Sequence, residues 1–385
     1  MNNTDLNNII NRVYSLPTEL APFREMLLAN AVMISEIPAP TFMEQKRISF
    51  LGQRFNECGL TNCCTDEVGN ALAFLPGKNN HQTILLTAHA DTPFGAGQDH
   101  SCTVDGGTIH GPGVADNSLG LAVLATLPTL LDRLDIRLQS KLLFLSSIRS
   151  LNQGDQCGIR FFLANSREPV KAAIAIEGIP LGRLHYRSMA SLGGMISCHI
   201  DRKVNHRSAI EILNRIINQL DKISLPAESH TDLILGTITG GASYKIPARQ
   251  AQLQFQLRSD DDRVVKDVTA RINSMLEKIG RELGVSAQLK DLAHTRSGGL
   301  RSSHPFVIQT RRIMTALGIQ PQKSIYSPII TGYVEQGIPA VGLGLTYGDN
   351  IHYPDEYIEI EPILIGVAQL IGTLMALDGG LCDQH

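Results

Sequence analysis

The sequence predicts an α/β layer fold interrupted by a smaller α+β domain, and three observations carry the prediction. In the first half, apolar strand-like runs alternate with helical segments, the pattern of a sheet covered by helices. Between about 187 and 296 the rhythm changes to two amphipathic helices among alternating strands. From Phe306 the strand–helix rhythm returns and runs to the end. A chain of 385 residues is long enough for two such domains.

The elements follow in order. Helical periodicity runs from about Leu20 to Leu60, broken by the loop Ile37-Pro-Ala-Pro-Thr41. Alternation marks strands at Asn70 to Leu75 and Thr83 to Ala88. Gly113 to Leu131 reads as a long apolar helix. Lys141 to Ile148 and Ala172 to Ile176 are short runs of the kind buried in parallel sheets. In the middle, Ser208 to Ile223 and Val264 to Leu283 are amphipathic helices, with strands at Ile234 to Ile238 and Ala251 to Leu257. A helix to Leu317, a strand at Ala340 to Leu345 and a helix from Pro362 to Leu377 close the chain. The simplest architecture is a split α/β domain, 1–186 and 297–385, with an α+β domain at 187–296 inserted.

Composition narrows the function classes. Hydrophobic content of 43%, charged content of 18% and a net charge of −3 are ordinary for a globular protein and give no cationic surface for nucleic acid or anionic lipid. The longest apolar runs, such as Leu119 to Leu131, carry Pro or polar breaks and are too short to span a bilayer, so no membrane partner is expected. The start, Met-Asn-Asn-Thr-Asp-Leu-Asn-Asn, lacks a secretory signal's basic and apolar regions. Seven cysteines without metal-finger spacing suit reduced thiols in a cytoplasm, and a bridge between adjacent Cys63 and Cys64 would be strained.

One group of residues carries chemistry. Leu85 to Asp91 is an apolar run ending in His89 and Asp91, and Gly111-Pro-Gly-Val-Ala-Asp-Asn117 delivers Asp116 from a Gly-rich loop into an apolar helix. His and Asp at strand ends are the nitrogen and oxygen ligands of hydrolytic zinc sites. His89 and Asp91 lie two apart, on one face of an extended segment, so His89 can ligate while Asp91 fixes its ring from behind. Asp116 is placed to bridge two cations. Glu177 follows the strand Ala172 to Ile176, at the end where α/β proteins build sites. His352 stands in the late loop Asp349-Asn-Ile-His-Tyr-Pro-Asp-Glu356. Any one of these is more often a capping or hydrogen-bonding residue; their conjunction makes that account improbable.

In this order the motifs resemble those of the M20 metallopeptidases. Leu85 to Asp91 is similar to the family's H-x-D strand, and Gly111 to Asn117 to its G-x-G-x-x-D-[DN] loop. Gly240-Gly-Ala-Ser-Tyr-Lys-Ile-Pro247 resembles G-G-x-x-x-N-x-I-P, with Lys245 in place of Asn, and Gln256-Leu-Arg-Ser259 resembles D-x-R-S. Gly337-Ile-Pro-Ala-Val341 and His352-Tyr-Pro-Asp-Glu-Tyr357 resemble the closing segments. The resemblance implies an M20-type zinc-peptidase domain with an inserted α+β (ferredoxin-like) dimerisation or lid domain, and a homodimer joined through it. It also implies amide hydrolysis on small peptides or N-acyl amino acids.

The resemblance further implies that His89, Asp116 and Glu177 hold one zinc, with Asp116 bridging to a second position built from His352 and a glutamate. Two consecutive glutamates, a general base and a metal ligand, belong where this chain has Ser150-Leu151. A serine hydroxyl is a poor base near neutrality and leucine has no lone pair. The expectation is one zinc site with the second incomplete; Asp155 is a nearby candidate for a recruited base. The family's G-x-G-G-H-[SA] segment is unrecognisable between Gly193 and Ser208, where His199 or His206 is its candidate remnant. Tyr326-Ser-Pro-Ile-Ile-Thr331 replaces polar substrate contacts, whereas Arg258, which in the family holds a substrate carboxylate, is kept. Two readings stay open: a metallohydrolase of weak or altered activity, with Asp91 and Ser150 at the catalytic positions, and a catalytically inactive homologue acting as a binding or interaction protein.

Overall fold

The computed structural model describes residues 3–79, 82–201, 208–322 and 326–383. The chain divides into two compact units, Met1–Arg187 with Gly299–His385, and Ser188–Gly298. The junctions therefore fall at 187/188 and 298/299, against 186/187 and 296/297 in the sequence reading.

The first unit begins with helices α1 (Asn3–Leu20), α2 (Arg24–Ser35) and α3 (Gln45–Glu57). Strands β1 (Thr61–Thr65), β2 (Ala71–Leu75) and β3 (Thr83–His89) lead to α4 (Leu119–Arg133) and β4 (Lys141–Ser147). Helix α5 (Cys157–Asn165), β5 (Val170–Glu177) and β6 (Leu184–His185) complete its first segment. The second unit holds β7 (Ala190–His199), α6 (Ala209–Leu220), β8 (Asp232–Gly240), β9 (Gln250–Ser259), α7 (Asp262–Leu283) and β10 (Ser286–Thr295). The chain then re-enters the first unit with α8 (Pro305–Ala316), α9 (Thr331–Glu335), β11 (Ala340–Gly344) and α10 (Ile363–Asp378).

In the first unit seven strands form one mixed sheet in the order β1-β2-β4-β3-β5-β11-β6. The four central strands, β4-β3-β5-β11, run parallel, and the flanking strands pair antiparallel. Every residue of β3 and β11 is buried, as expected for strands covered on both faces. The parallel arrangement brings the C-terminal ends of β3, β4 and β5 to one edge, the end at which α/β sheets build their sites. Residues 103–105, 108–110, 348–349 and 357–359 make a small antiparallel sheet.

The second unit is a four-stranded antiparallel sheet ordered β8-β9-β7-β10 and backed by α6 and α7. The βαββαβ succession with this order is the ferredoxin-like arrangement. Strict alternation along β9 sends Ala251, Leu253, Phe255 and Leu257 into a core shared with Ile212, Ile216, Val268 and Ile272.

Two helices in the first unit depart from expectation in instructive ways. Helix α1 was not legible: it is rich in Asn and contains Pro17, yet Leu6, Ile9, Val13, Leu16 and Leu20 form a buried stripe against α8 and α10. The helix expected from Gly113 becomes regular only at Leu119, because Asp116 and Asn117 have non-helical backbones (φ −129° and −141°). Among the described residues, one stretch, Val114–Arg133, is long and apolar enough to cross a membrane, against the expectation that the apolar run here is too short; 94% of its apolar 18-residue window is buried inside the fold.

Candidate metal centre

Two adjacent parallel strands deliver the first pair of donors. Thr87 of β3 is paired with Ala175 of β5, and two residues further on each strand stand His89 and Glu177. Asp116 arrives from the irregular turn before α4. Gly113 enters that turn at φ 80°, a conformation open to glycine at no steric cost. Gly178 lets the turn lie against the end of β5: a Cβ there would fall 2.1 Å from the Ala115 carbonyl oxygen. The Asp116–Asn117 peptide is cis, and Asn117 Nδ2 donates to the Ile176 carbonyl at 2.7 Å.

The donor atoms of His89, Asp116 and Glu177 all lie within 4.8 Å of one another. His89 Nε2 is 2.9 Å from Asp116 Oδ1, and His352 Nε2 is 2.7 Å from Asp116 Oδ2. Each carboxylate oxygen thus faces a different imidazole, the disposition of a bridging ligand. His89 Nδ1 lies 3.1 Å from the Asp91 carbonyl oxygen and 3.5 Å from Asp91 Oδ1. A proton on Nδ1 is thereby held towards Asp91, leaving the Nε2 lone pair free for ligation.

Charge is crowded here. Burial pushes Glu177 up to about 8, with the Asp116 charge adding to the rise and His89 opposing it. Burial works against ionised Asp116 too, but His89 and His352 overturn it and hold this carboxyl well below the usual range. For His89, burial disfavours the charged ring, yet Asp116, Asp91 and Glu177 raise it well above its ordinary value. Two clustered carboxylates call for a positive charge at their common point. One imidazole nitrogen and two carboxylates match the ligands of a hydrolytic zinc, so the residues fit such a cation.

Asp91 is fully buried and densely bonded. It accepts from Thr41 Oγ1 (2.9 Å), from Ser150 N–H on both oxygens (3.0 and 2.9 Å) and from Leu151 N–H (2.8 Å). The structure therefore brings Ser150 and Leu151 against the residue behind His89, through their main chain. Ser150 Oγ is 3.3 Å from Ser147 Oγ at the end of β4. Asp155 is engaged elsewhere: its carboxylate is 2.5 Å from Arg160, which also binds Glu335 at 3.0 Å. Arg258 lies in the second unit, exposed on β9, where Asp232 holds its guanidinium at 2.9 Å. His199 ends β7 with Nδ1 3.4 Å from Gln250 Nε2, His206 falls outside the described residues, and Lys245 stacks over Tyr244 at 5.4 Å.

Sequence reasoning gave no role to three buried side chains. Glu356 is fully buried and accepts backbone amides of the Asp116 turn and of His352. Glu44 accepts the amides of Phe42 (3.0 Å) and Arg149 (2.9 Å). Arg47 is buried on α3, bonded to the carbonyls of Ile37 (2.7 Å), Ala90 (3.1 Å) and Ser35 (3.3 Å). A signal existed for Arg47. It falls in step with Leu51 and Phe55 on the inward stripe, where a charged residue demands an explanation.

The parallel sheet with its edge cluster of His and carboxylates defines a metallopeptidase class, and the comparisons agree. The model of peptidase family M20/M25/M40 matches residues 85–376, and the chain belongs to that family. The fold is shared with aminopeptidase PepT from Bacillus cereus, at 19% identity and TM-score 0.72, over 91% of this chain and 98% of that one. It is shared with the di-peptidase Dug1p from Saccharomyces cerevisiae at 12% identity, TM-score 0.77 and coverages of 96% and 98%. A dinuclear metal binding peptidase from Bacillus subtilis aligns at 16% identity, TM-score 0.68 and coverages of 93% and 99%. No curated protein sequence matches the chain.

Proposed function

We propose that the protein is a metallohydrolase for amide bonds of small peptides or N-acyl amino acids, with one complete zinc position and impaired proton transfer. The observation that carries this is the cluster of His89, Asp116 and Glu177 beside a segment, Ser150-Leu151, that offers no carboxylate. His89, Asp116 and Glu177 would hold the cation, with His352 on the outer oxygen of Asp116. A divalent cation supplies Lewis acidity there, polarising a carbonyl and acidifying water. Asp91 orients His89. Ser150 cannot take up a proton near neutral pH, and Asp155 is committed to Arg160. Loss of a positioned base removes about 10²–10⁴-fold in rate.

The same reading takes the chain to be a cytoplasmic homodimer joined through the inserted domain. What supports the dimer is β8, an edge strand of that domain, with Ile234, Leu235 and Ile238 at 43%, 37% and 60% exposure. Arg258 would hold a substrate carboxylate.

The test is metal content and turnover together. Protein purified without chelator should carry nearer one zinc than two per chain. Dipeptides and N-acetyl amino acids should be cleaved at rates well below the roughly 10 s⁻¹ usual for enzymes. Ordinary rates would mean an unidentified base and refute the impaired site. A second reading, favoured by the engagement of Asp155, is a homologue that binds such ligands without turnover; saturable binding with no product on prolonged incubation would select it.

A further inference from the structure

Three amides from two distant segments converge on one carboxylate. Glu356 Oε1 accepts Ala115 N–H at 2.9 Å and Asp116 N–H at 3.3 Å, while Oε2 accepts His352 N–H at 3.1 Å. The Glu356 carbonyl oxygen also accepts Gly111 N–H at 3.0 Å, so both ends of the residue are tied to the turn that carries Asp116. The side chain is 0% exposed. A carboxylate is buried at large cost unless its oxygens are bonded, and hydrogen bonds to an ionised acceptor are the strong ones.

The bonds fix what needs fixing. His352 lies on a loop at φ 72°, a backbone conformation unusual for histidine, and its side chain is 52% exposed. Its Nε2 nevertheless meets Asp116 Oδ2 at 2.7 Å. A carboxylate that binds the main chain of both residues at once sets that distance without touching either side chain.

We propose that Glu356 is a positioning residue of the metal centre, which keeps the His352 imidazole on the outer oxygen of Asp116 although Leu151 offers that position no ligand. This rests on the reading of His89, Asp116 and Glu177 as a cation site. Glu356→Gln separates the two arms. The amide oxygen keeps the side with two donors, Ala115 and Asp116, so the amide nitrogen must face His352 N–H, donor against donor.

The experiment titrates the full chain with Co²⁺, followed by absorption and calorimetry, alongside peptide-level amide exchange. The unmodified chain should bind one Co²⁺ tightly and a second weakly. Glu356→Gln should keep the first within about twofold, weaken the second about 10–100-fold and speed exchange in 350–357. His352→Ala should abolish the second event. An unchanged second event in Glu356→Gln, equal weakening of both events, or no second event in the unmodified chain would each overturn the proposal alone. No Co²⁺ binding at all would bring down the underlying cation reading with it. Glu356→Gln retains two of the three amide bonds, whereas Glu356→Ala loses all three, so the glutamine variant is the one expected to fold.

Discussion

Replacing Asp91 should separate stability from metal affinity. Asp91→Ala leaves three donors without their acceptor: Thr41 Oγ1, Ser150 N–H and Leu151 N–H, all within 3.0 Å of the carboxylate. A hydrogen bond to a charged group contributes about 1.5–3 kcal/mol. Ser150 and Leu151 are partly exposed, so water replaces some of the loss and the lower end applies. The sum is about 4.5 kcal/mol, a large part of the roughly 5–15 kcal/mol that holds a domain together. In thermal terms that is a fall of about 10 °C. Asp91→Asn behaves differently. An amide oxygen in place of Oδ2 keeps all three donors, so stability should fall by only about 1 kcal/mol. The amide nitrogen then faces His89 Nδ1, donor towards the atom that carries the proton, and favours the tautomer with hydrogen on Nε2. That tautomer cannot ligate, and zinc affinity should drop about 10–100-fold. Denaturant unfolding of metal-free protein and zinc competition with a chromophoric chelator measure the two effects. An asparagine variant that holds zinc within twofold of its parent, or an alanine variant that unfolds at the parent's midpoint, would refute these roles of Asp91.

Ser150→Glu with Leu151→Glu should raise metal content towards two per chain and hydrolysis by about 10²–10⁴-fold, with either single change doing less; no gain in the double variant would remove these positions from the catalytic account. His185 supplies a pH limb: burial, with Arg183 adding to it, pushes this imidazole down to about 4. Its folded value lies below the ordinary 6.5, so its favourable contribution is complete above pH 6.5 and is lost as pH falls towards 4, by up to about 3 kcal/mol. His185→Gln should flatten unfolding free energy against pH in that window, and an unaltered slope would dismiss the assignment. Ile238→Lys, on the exposed edge strand β8, should convert a dimer to a monomer by light scattering; a parent that is monomeric at every concentration sinks the dimer.

Much of the first unit was legible because its strands are buried on both faces and read as continuous apolar runs. β3 and β5 were located to within about two residues, and with them His89 and Glu177. Asp116 and His352 came from loop motifs whose glycines and turns announce themselves, although spacing could not show that each imidazole takes its own oxygen. α1 was hidden because its stripe becomes meaningful only against α8 and α10. β7 and β10 were hidden in another way: two glycines interrupt β7, and the alternation of β10 breaks at the register shift opposite them. Glu356 and Arg47 could not be assigned because they act on backbone groups, and a sequence gives no direct sign of which amide or carbonyl a side chain will meet.

Ser150 and Leu151 are gripped by Asp91 through their amides alone, and every residue except proline has an amide. The grip of Asp91 on this segment is therefore indifferent to which side chains stand at 150 and 151, proline excepted. A lineage can exchange the side chains there while the carboxylate that backs His89 keeps its bonds. At those two positions the side chain can change while the main-chain grip stays, so the reactive groups and the scaffold that carries them are free to vary separately.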